Sequence, residues 1–221
     1  MSNEFVFKKL KDGSLEYVGD FNSVYQNQID PWSQSADSDD GYKLYYQHSR
    51  SKIKNAIAET DAKNVLEVGC GIGYVCDFLI KNLNLKVVGM DISSEAIKIA
   101  KKTFPEYTFT VGDIANEDTF PEEKYDVVIL NQLLWYVLDS LDLVIRNVYQ
   151  ILEAKGVLII SQAFFKDYQS YGRDILVGCD GLEAYMLQNH GQLFKLEKTE
   201  FTDPVTLIHD DGLLVFSKRR I

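Results

Sequence analysis

The sequence predicts an α/β fold: a doubly wound, seven-stranded, mostly parallel sheet with an antiparallel last strand pair, preceded by an N-terminal hairpin and lid segment. Two observations predict this class. From residue 64 onward, short apolar runs typical of buried strands alternate with amphipathic runs typical of helices. The last two apolar runs have no helical run between them, which favours antiparallel pairing at the sheet edge.

The N-terminal part, residues 1–41, is expected to form a hairpin and a lid segment. Phe5 to Val18 alternates around Asp12-Gly13, a pair typical of hairpin turns. The segment from Phe21 to Gly41 has little periodicity, so we expect an irregular stretch that lies over the body of the protein. The second unit is expected to be a ligand-binding domain over residues 42–221.

The period of the apolar residues predicts the elements of that domain. The predicted strands cover residues 64–68, 86–90, 107–111, 125–130, 156–161, 192–199 and 213–217. The predicted helices cover residues 42–59, 73–83, 93–104, 138–153 and 182–189. His209 falls between the last two predicted strands, beside two aspartates, and is expected in a turn.

Composition excludes several classes of protein. The chain has 221 residues, of which 46% are hydrophobic, and this suits one globular domain with at most a small lid. The formal net charge of −10 disfavours nucleic acid as a partner. No apolar run approaches the roughly 18 residues that span a bilayer, and Met1 to Phe7 lacks a signal pattern. We therefore expect a cytoplasmic protein that does not enter membranes.

The strongest local signal is a glycine-rich turn after the first buried strand. Gly69, Gly71 and Gly73 alternate with other residues, and glycine tolerates the backbone conformations of a tight turn. In an open α/β sheet, ligands bind at the carboxyl ends of the strands. Asp91 and Asp113 end the next two predicted strands, where carboxylates can accept hydrogen bonds from a ribose and an adenine amino group. The three strand ends together predict a nucleoside site.

These residues resemble motifs of class I S-adenosylmethionine-dependent methyltransferases, over roughly residues 42–221. The segments that carry the resemblance are VLEVGCGIG, VVGMD, GDI, YDVVILNQLLWY and LEAKGVLIIS. The resemblance implies S-adenosylmethionine as the methyl donor, S-adenosylhomocysteine as the product, and a small-molecule acceptor. A nicotinamide cofactor is the rival hypothesis, but Tyr74 follows Gly73, so the third glycine of its fingerprint is displaced.

The resemblance also implies which residues contact the cofactor. Asp91 would hold the ribose, Asp113 would bind the adenine amino group, and Arg50 would bind the carboxylate. The positions implied as cofactor-binding are Arg50, Glu67, Gly69, Gly71, Gly73, Asp91, Ile92, Asp113, Ile114 and Asn131.

The acceptor site is expected in the N-terminal segment and in residues 162–181, since loops at strand ends carry specificity. The candidate substrate-binding residues are Tyr25, Trp32, Tyr46, Gln132, Phe164 and Arg173. His48 is the candidate general base, because a hydroxyl acceptor needs one within about 3 Å. The acidic residues Asp30, Asp37, Asp39, Asp40 and Asp180 would suit a cationic amine, such as an amino sugar.

Several alternatives stay open at this point. The acceptor could be a nucleotide-activated sugar or a related glycan precursor, methylated at nitrogen or oxygen, or it could be a protein. The chain could also bind S-adenosylmethionine without turnover, and it could be a monomer or a homodimer. A metal site is not expected, because the ends of the fourth and fifth strands read Asn131-Gln132 and Ser161-Gln162 rather than carboxylates. The three cysteines form no Cys-x-x-Cys pair.

Overall fold

The computed structural model describes residues 4–35, 42–165, 169–202 and 209–220. Within these ranges the strands are β1 (Phe7–Lys9), β2 (Leu15–Tyr17), β3 (Asn64–Val68), β4 (Lys86–Asp91), β5 (Thr108–Val111), β6 (Tyr125–Asn131), β7 (Leu152–Phe165), β8 (Phe194–Thr202) and β9 (His209–Lys218). The α-helices are α1 (Phe21–Asn27), α2 (Tyr42–Ala58), α3 (Tyr74–Leu83), α4 (Ser94–Thr103), α5 (Leu141–Ile151) and α6 (Gly178–His190). None of the described helices is long and apolar enough to cross a membrane.

The main sheet has seven strands in the order β5-β4-β3-β6-β7-β9-β8. The strands from β5 to β7 are parallel, whereas β9 is antiparallel to both β7 and β8. The predicted fold class is therefore confirmed. β1 and β2 form the predicted antiparallel hairpin.

Helices cover both faces of the sheet, because the buried strands are apolar on both sides. On one face, Leu66 and Val128 pack in a cluster with Val144 of α5. On the other face, Val65 packs in a cluster with Ile53 of α2. The helices α3 and α4 join the second cluster, and α6 joins the first. This is the doubly wound arrangement that the sequence predicts.

The prediction of an irregular segment after the hairpin is wrong for residues 21–27, which form α1. The Asp20 side chain caps this helix by accepting a hydrogen bond of 3.1 Å from the Ser23 N–H. Two turns are too short to show a helical period. The helix docks onto α4, where the Asn22 Oδ1 accepts a hydrogen bond of 2.9 Å from the Ser93 hydroxyl. The proposed domain boundary at residue 41 lies outside the described residues and stays a prediction.

The prediction of a turn at His209 is also wrong, because β9 begins there and pairs His209 with Phe165, the last residue of β7. Since β9 is antiparallel to β7, the first residue of β9 lies beside the last residue of β7. It therefore lies at the side of the sheet formed by the carboxyl ends of the parallel strands. Asp211 can continue the strand because its carboxylate is neutralised by a lysine. The topology thus brings His209 to the edge where ligands bind.

That lysine is Lys52 of α2, whose Nζ lies 3.1 Å from Asp211 Oδ2. The Lys52 and Asp211 side chains are only 8% and 0% exposed. The same Nζ donates to the Thr202 hydroxyl at 3.2 Å, so one cation holds α2 against β8 and β9. A buried charge is tolerated only when it is paired in this way.

Replacing Lys52 by methionine should therefore destabilise the protein, because it leaves the Asp211 carboxylate buried without a cation. We expect a loss of about 3–5 kcal/mol in the free energy of unfolding. The matched control is Lys86→Met, which breaks the exposed pair with Glu123 and should cost less than about 1 kcal/mol. Urea unfolding measures both. Equal midpoints for Lys52→Met and the wild type would contradict the role of the pair.

Candidate active site

The turn between β3 and α3 has a backbone that favours glycine. Gly69, Gly71 and Gly73 have φ values of +73°, +54° and +91°. The N–H groups of Gly69 and Cys70 donate to the carbonyl of Met90, at 2.7 and 3.0 Å. The turn is thereby held against the end of β4, and α3 begins directly after it.

Asp91, the last residue of β4, also holds the glycine-rich turn against β4. Its Oδ2 accepts a hydrogen bond of 2.8 Å from the Gly71 N–H, and its Oδ1 accepts one of 2.9 Å from the Ser93 N–H. Burial raises the pKa of Asp91, while both N–H donors favour the ionised form. Its side chain lines the cavity described below.

Two further residues at this end of the sheet line the same cavity. Asp113 follows β5 and is fixed by a hydrogen bond of 2.8 Å from the Ala115 N–H to its Oδ1. Ile92 follows β4 and is 51% exposed, which is unusual for a large apolar side chain in this well-packed region. An acid and an open apolar surface next to one another suit a flat ring that carries an amino group.

Two residues that line the cavity, Arg50 and Asn131, each have a buried polar atom without a protein partner in the described chain. The Asn131 Oδ1 and the Arg50 Nε are both buried and accept or donate no hydrogen bond within the described chain. Arg50 is 9% exposed, and its guanidinium lies over the Tyr46 ring, 5.1 Å from the centroid. Because unsatisfied buried polar atoms are costly, either atom would gain from a hydrogen-bond partner supplied by a bound ligand.

The segment after α1 lies over the glycine-rich turn. The Gln34 Oε1 accepts a hydrogen bond of 3.2 Å from the Ile72 N–H, and the Gln34 carbonyl accepts one from Arg50. The Tyr46 hydroxyl donates to the carbonyl of Trp32. These contacts hold Trp32 and Gln34 against the body of the protein, and a lid function of the segment stays a prediction.

A cavity of about 590 Å³ runs along this edge of the sheet. We call the end at Asp91 and Asp113 the acid half. We call the other end the aromatic half; it is lined by Tyr45, Trp135, Phe164, Phe165 and His209. The acid half lies at the ends of β4 and β5, and the aromatic half lies at the ends of β7 and β9. The two halves are therefore separated along the strand order of the sheet.

Gln132 stands between the halves, directly after β6, with an unusual φ of +54°. Its Nε2 donates to the Tyr45 hydroxyl at 2.6 Å, and its Oε1 accepts a hydrogen bond of 3.0 Å from the Ala163 N–H. These bonds tie α2, β6 and β7 together at the centre of the cavity.

The structure brings most of the sequence-predicted site residues into the cavity wall. Those that line it are Tyr25, Trp32, Tyr46, Arg50, Gly69, Asp91, Ile92, Asp113, Ile114, Asn131, Gln132 and Phe164. Gly71 and Gly73 shape the turn beside it. The roles of these residues toward a ligand stay predictions.

Besides Gly71 and Gly73, three predicted site residues lie outside the cavity wall. His48 is exposed on α2, with its Nε2 3.4 Å from the Thr202 hydroxyl. Arg173 lies exposed in a turn before α6. Glu67 is buried behind the glycine-rich turn, where its Oε2 accepts a hydrogen bond of 3.0 Å from the Cys76 thiol.

The expected acidic mouth depends partly on Asp37, Asp39 and Asp40, which lie outside the described residues. The carboxylate of Asp30 accepts hydrogen bonds from the Gln34 and Ser35 N–H groups, so it stabilises the lid. Asp180 is exposed in the first turn of α6 and does not line the cavity. The described part of the chain thus gives this expectation no support. It also contains no group of three or more metal-ligating side chains.

Sequence reasoning missed several lining residues. They are Phe21, Gln34, Trp135, Tyr136, Gln162 and His209. Trp135 and Tyr136 follow a predicted parallel strand closely, and that position was an available signal. No local signal identifies His209, because its place depends on the register between β7 and β9.

The buried Glu67 makes stability depend on pH. Burial raises its pKa to about 7, partly offset by the Cys76 thiol and by the charge of Arg50. In the unfolded chain this carboxyl has its ordinary pKa near 4.5. The folded protein therefore binds the proton more tightly and loses stability as the pH rises between these two values.

Glu67→Gln should remove that loss, because the amide cannot ionise. Between pH 5 and pH 8, the stability of the variant relative to the wild type should rise by about 2.5 kcal/mol, at roughly 1.4 kcal/mol per pKa unit. Glu106→Gln, an exposed position, is the control. Urea unfolding at both pH values tests this, and parallel pH profiles for wild type and Glu67→Gln would refute it.

Comparison with known proteins agrees with this geometry. A family model described as a methyltransferase domain matches residues 59–195. The chain is 34% identical over 122 residues to malonyl-[acyl-carrier protein] O-methyltransferase of Bacillus cereus, covering 54% of this chain and 44% of that protein. It is 29% identical over 142 residues to the corresponding enzyme 1 of Ilyobacter polytropus, covering 62% and 52%. The chain thus spans about half the length of these curated relatives.

Solved structures show the same fold. The N-methyltransferase NodS of Bradyrhizobium japonicum, in complex with S-adenosylhomocysteine, has a TM-score of 0.66 at 15% identity, over 89% of this chain and 99% of that one. The magnesium protoporphyrin IX methyltransferase of Synechocystis, with bound S-adenosylmethionine, has a TM-score of 0.63 at 20% identity, over 90% and 93%. The chain belongs to the methyltransferase domain family and has the fold of class I S-adenosylmethionine-dependent methyltransferases.

Proposed function

We propose that this protein transfers a methyl group from S-adenosylmethionine to a small-molecule acceptor. The observation that carries the proposal is the cavity itself. A glycine-rich turn and two carboxylates stand at three adjacent strand ends, and two unsatisfied polar groups, on Arg50 and Asn131, lie beside them. This set fits the nucleoside and the charged amino-acid end of the cofactor.

The acid half would hold the nucleoside. Asp91 can accept hydrogen bonds from ribose hydroxyls, because each carboxylate oxygen has a second lone pair beyond its N–H donor. Asp113 can accept one from an adenine amino group, and Ile92 offers its exposed surface to the ring. Arg50, which lines the cavity, would pair with the carboxylate through its guanidinium.

When bound, S-adenosylmethionine supplies a methyl group on a positively charged sulfur. The protein then has to orient the acceptor and exclude water. The lid residues Trp32 and Gln34 line the cavity, and the Gln132 side chain marks the boundary between its halves. The aromatic half is the place for the acceptor.

The curated relatives named above are O-methyltransferases by name, and this supports an oxygen acceptor here. The earlier expectation of an amino sugar has no specific support, although one similar fold belongs to an N-methyltransferase. We therefore keep the acceptor as a small molecule and develop its chemistry below.

Calorimetry with paired ligands tests the cofactor site. The wild type should bind S-adenosylhomocysteine and 5′-methylthioadenosine, which lacks the amino-acid end, and should not bind NAD. Arg50→Met should weaken the affinity for S-adenosylhomocysteine about 10- to 100-fold, which is the usual effect of losing a hydrogen bond to a charged group. The same variant should leave the affinity for methylthioadenosine within about twofold.

Either of two results would count against this assignment. An equal loss for both ligands would mean that Arg50 acts through the lid, by its bond to the Gln34 carbonyl. Binding of NAD alone would mean that the glycine-rich turn serves a nicotinamide cofactor.

A further inference from the structure

His209 occupies a position that suits a catalytic base. It is the one histidine among the described residues that line the cavity. It begins β9 beside Phe165, and its ring centroid lies 5.4 Å from that of Tyr45. The imidazole therefore stands in the aromatic half, where the proposed function puts the acceptor.

The aromatic half offers flat apolar surfaces. Trp135 packs edge-on against Phe164, with centroids 5.8 Å apart, and Phe165 is 56% exposed beside them. The Trp135 Nε1–H is already bound to the carbonyl of Ala163, at 3.1 Å. These walls fit a planar ring better than a polyhydroxylated sugar, which needs many hydrogen-bond partners.

The amides in this half are occupied by the protein. The Gln162 Oε1 accepts a hydrogen bond of 3.0 Å from the Leu134 N–H, and its Nε2 donates to the Gln132 Oε1 at 3.3 Å. The Gln132 Nε2 in turn donates to Tyr45. The acceptor therefore meets hydroxyl and imidazole groups rather than free amides.

The negatively charged residues that line the cavity are in the acid half, away from His209. Within the described chain, the carboxylates that line the cavity are Asp91 and Asp113. Asp91 ends β4 and Asp113 follows β5, whereas His209 begins β9, and three strands separate β4 from β9 in the sheet. None of the described carboxylates that line the cavity therefore belongs to the aromatic half.

We propose that the acceptor is a hydroxyl group on a planar aromatic molecule and that His209 is the general base that takes its proton; this inference rests on the proposed methyltransferase function. The titratable and charged groups around His209 are Tyr45, His48 and Lys52 of α2 and Asp210 and Asp211 of β9. Burial raises the pKa of Asp211, and the charge of Lys52, which pairs with that carboxylate, partly offsets this.

The acceptor oxygen forms a bond to the methyl carbon, and the carbon–sulfur bond breaks with its electron pair remaining on sulfur. The hydroxyl proton moves to an imidazole nitrogen of His209 and later leaves to solvent. No oxidant, reductant or metal ion takes part in this step.

The experiment uses the full chain and two probes that share one ring system. The first is 2-naphthol, and the second is 2-(aminomethyl)naphthalene, which is cationic at neutral pH. Calorimetry measures their binding to the protein saturated with S-adenosylhomocysteine. Mass spectrometry measures the formation of 2-methoxynaphthalene from S-adenosylmethionine. The variants are His209→Gln and His48→Gln, which remove the same group inside and outside the cavity.

We expect 2-naphthol to bind at least about tenfold more tightly than the amine and to be methylated. His209→Gln should lower kcat about 10²-fold or more, in line with the usual contribution of a general base. It should also abolish the fall in kcat at acidic pH, where an imidazole becomes protonated. The affinities of His209→Gln for S-adenosylhomocysteine and for 2-naphthol should stay within about twofold, and a merely structural role would change them.

Three results would overturn the proposal. The first is a protein that binds S-adenosylhomocysteine but neither binds nor methylates 2-naphthol. The second is a His209→Gln variant that keeps the wild-type kcat and pH profile. The third is a loss of turnover in His48→Gln alone. A failure to bind S-adenosylhomocysteine is a different outcome, because it removes the proposed function itself and the acceptor proposal with it.

Discussion

The site depends on the backbone of the turn between β3 and α3. Three residues in five have a φ value in the left-handed region, where a side chain is strained, and each is glycine. A Cβ at Gly71 would meet the Gln34 side chain and the Tyr25 hydroxyl at 2.7 and 2.8 Å. The lid can therefore rest on the turn only because these side chains are missing. The Gly71 N–H donates a hydrogen bond to Asp91. One tight turn therefore positions both Asp91 and the lid residue Gln34, which lie on either side of it.

The aromatic half depends on a different constraint, the reversal of β9. In a wholly parallel sheet, the first residue of a strand lies at the edge opposite the ligand. Because β9 is antiparallel to β7, His209 lies beside Phe165 at the ligand edge. The Lys52–Asp211 ion pair then fixes α2 to this reversed strand, and α2 also carries Tyr45 and Arg50. One helix thus contributes to both halves of the cavity, which couples the position of the cofactor site to that of the acceptor site.

The sequence predicts the parts of this protein that rest on local patterns. The parallel strands have apolar runs and alternate with helices, so β3 to β7 follow from periodicity. Asp91 and Asp113 follow from their place at strand ends. In contrast, α1 is too short to have a visible period and is defined by its Asp20 cap. The sequence places His209 in a turn because the strand pairing that positions it depends on distant residues. It favours His48 as the general base because the side of α2 that packs on the sheet also depends on distant residues. Such long-range contacts leave no local signal in a single sequence.

The central claim is that one ligand spans the acid half and points its reactive end at the aromatic half. A crystal structure of the protein with S-adenosylhomocysteine tests this most directly. We expect the adenine between Ile92 and Asp113, the carboxylate on Arg50, and the sulfur beside Asn131, facing Tyr45 and His209. An adenine seated in the aromatic half, or a sulfur turned away from His209, would contradict it.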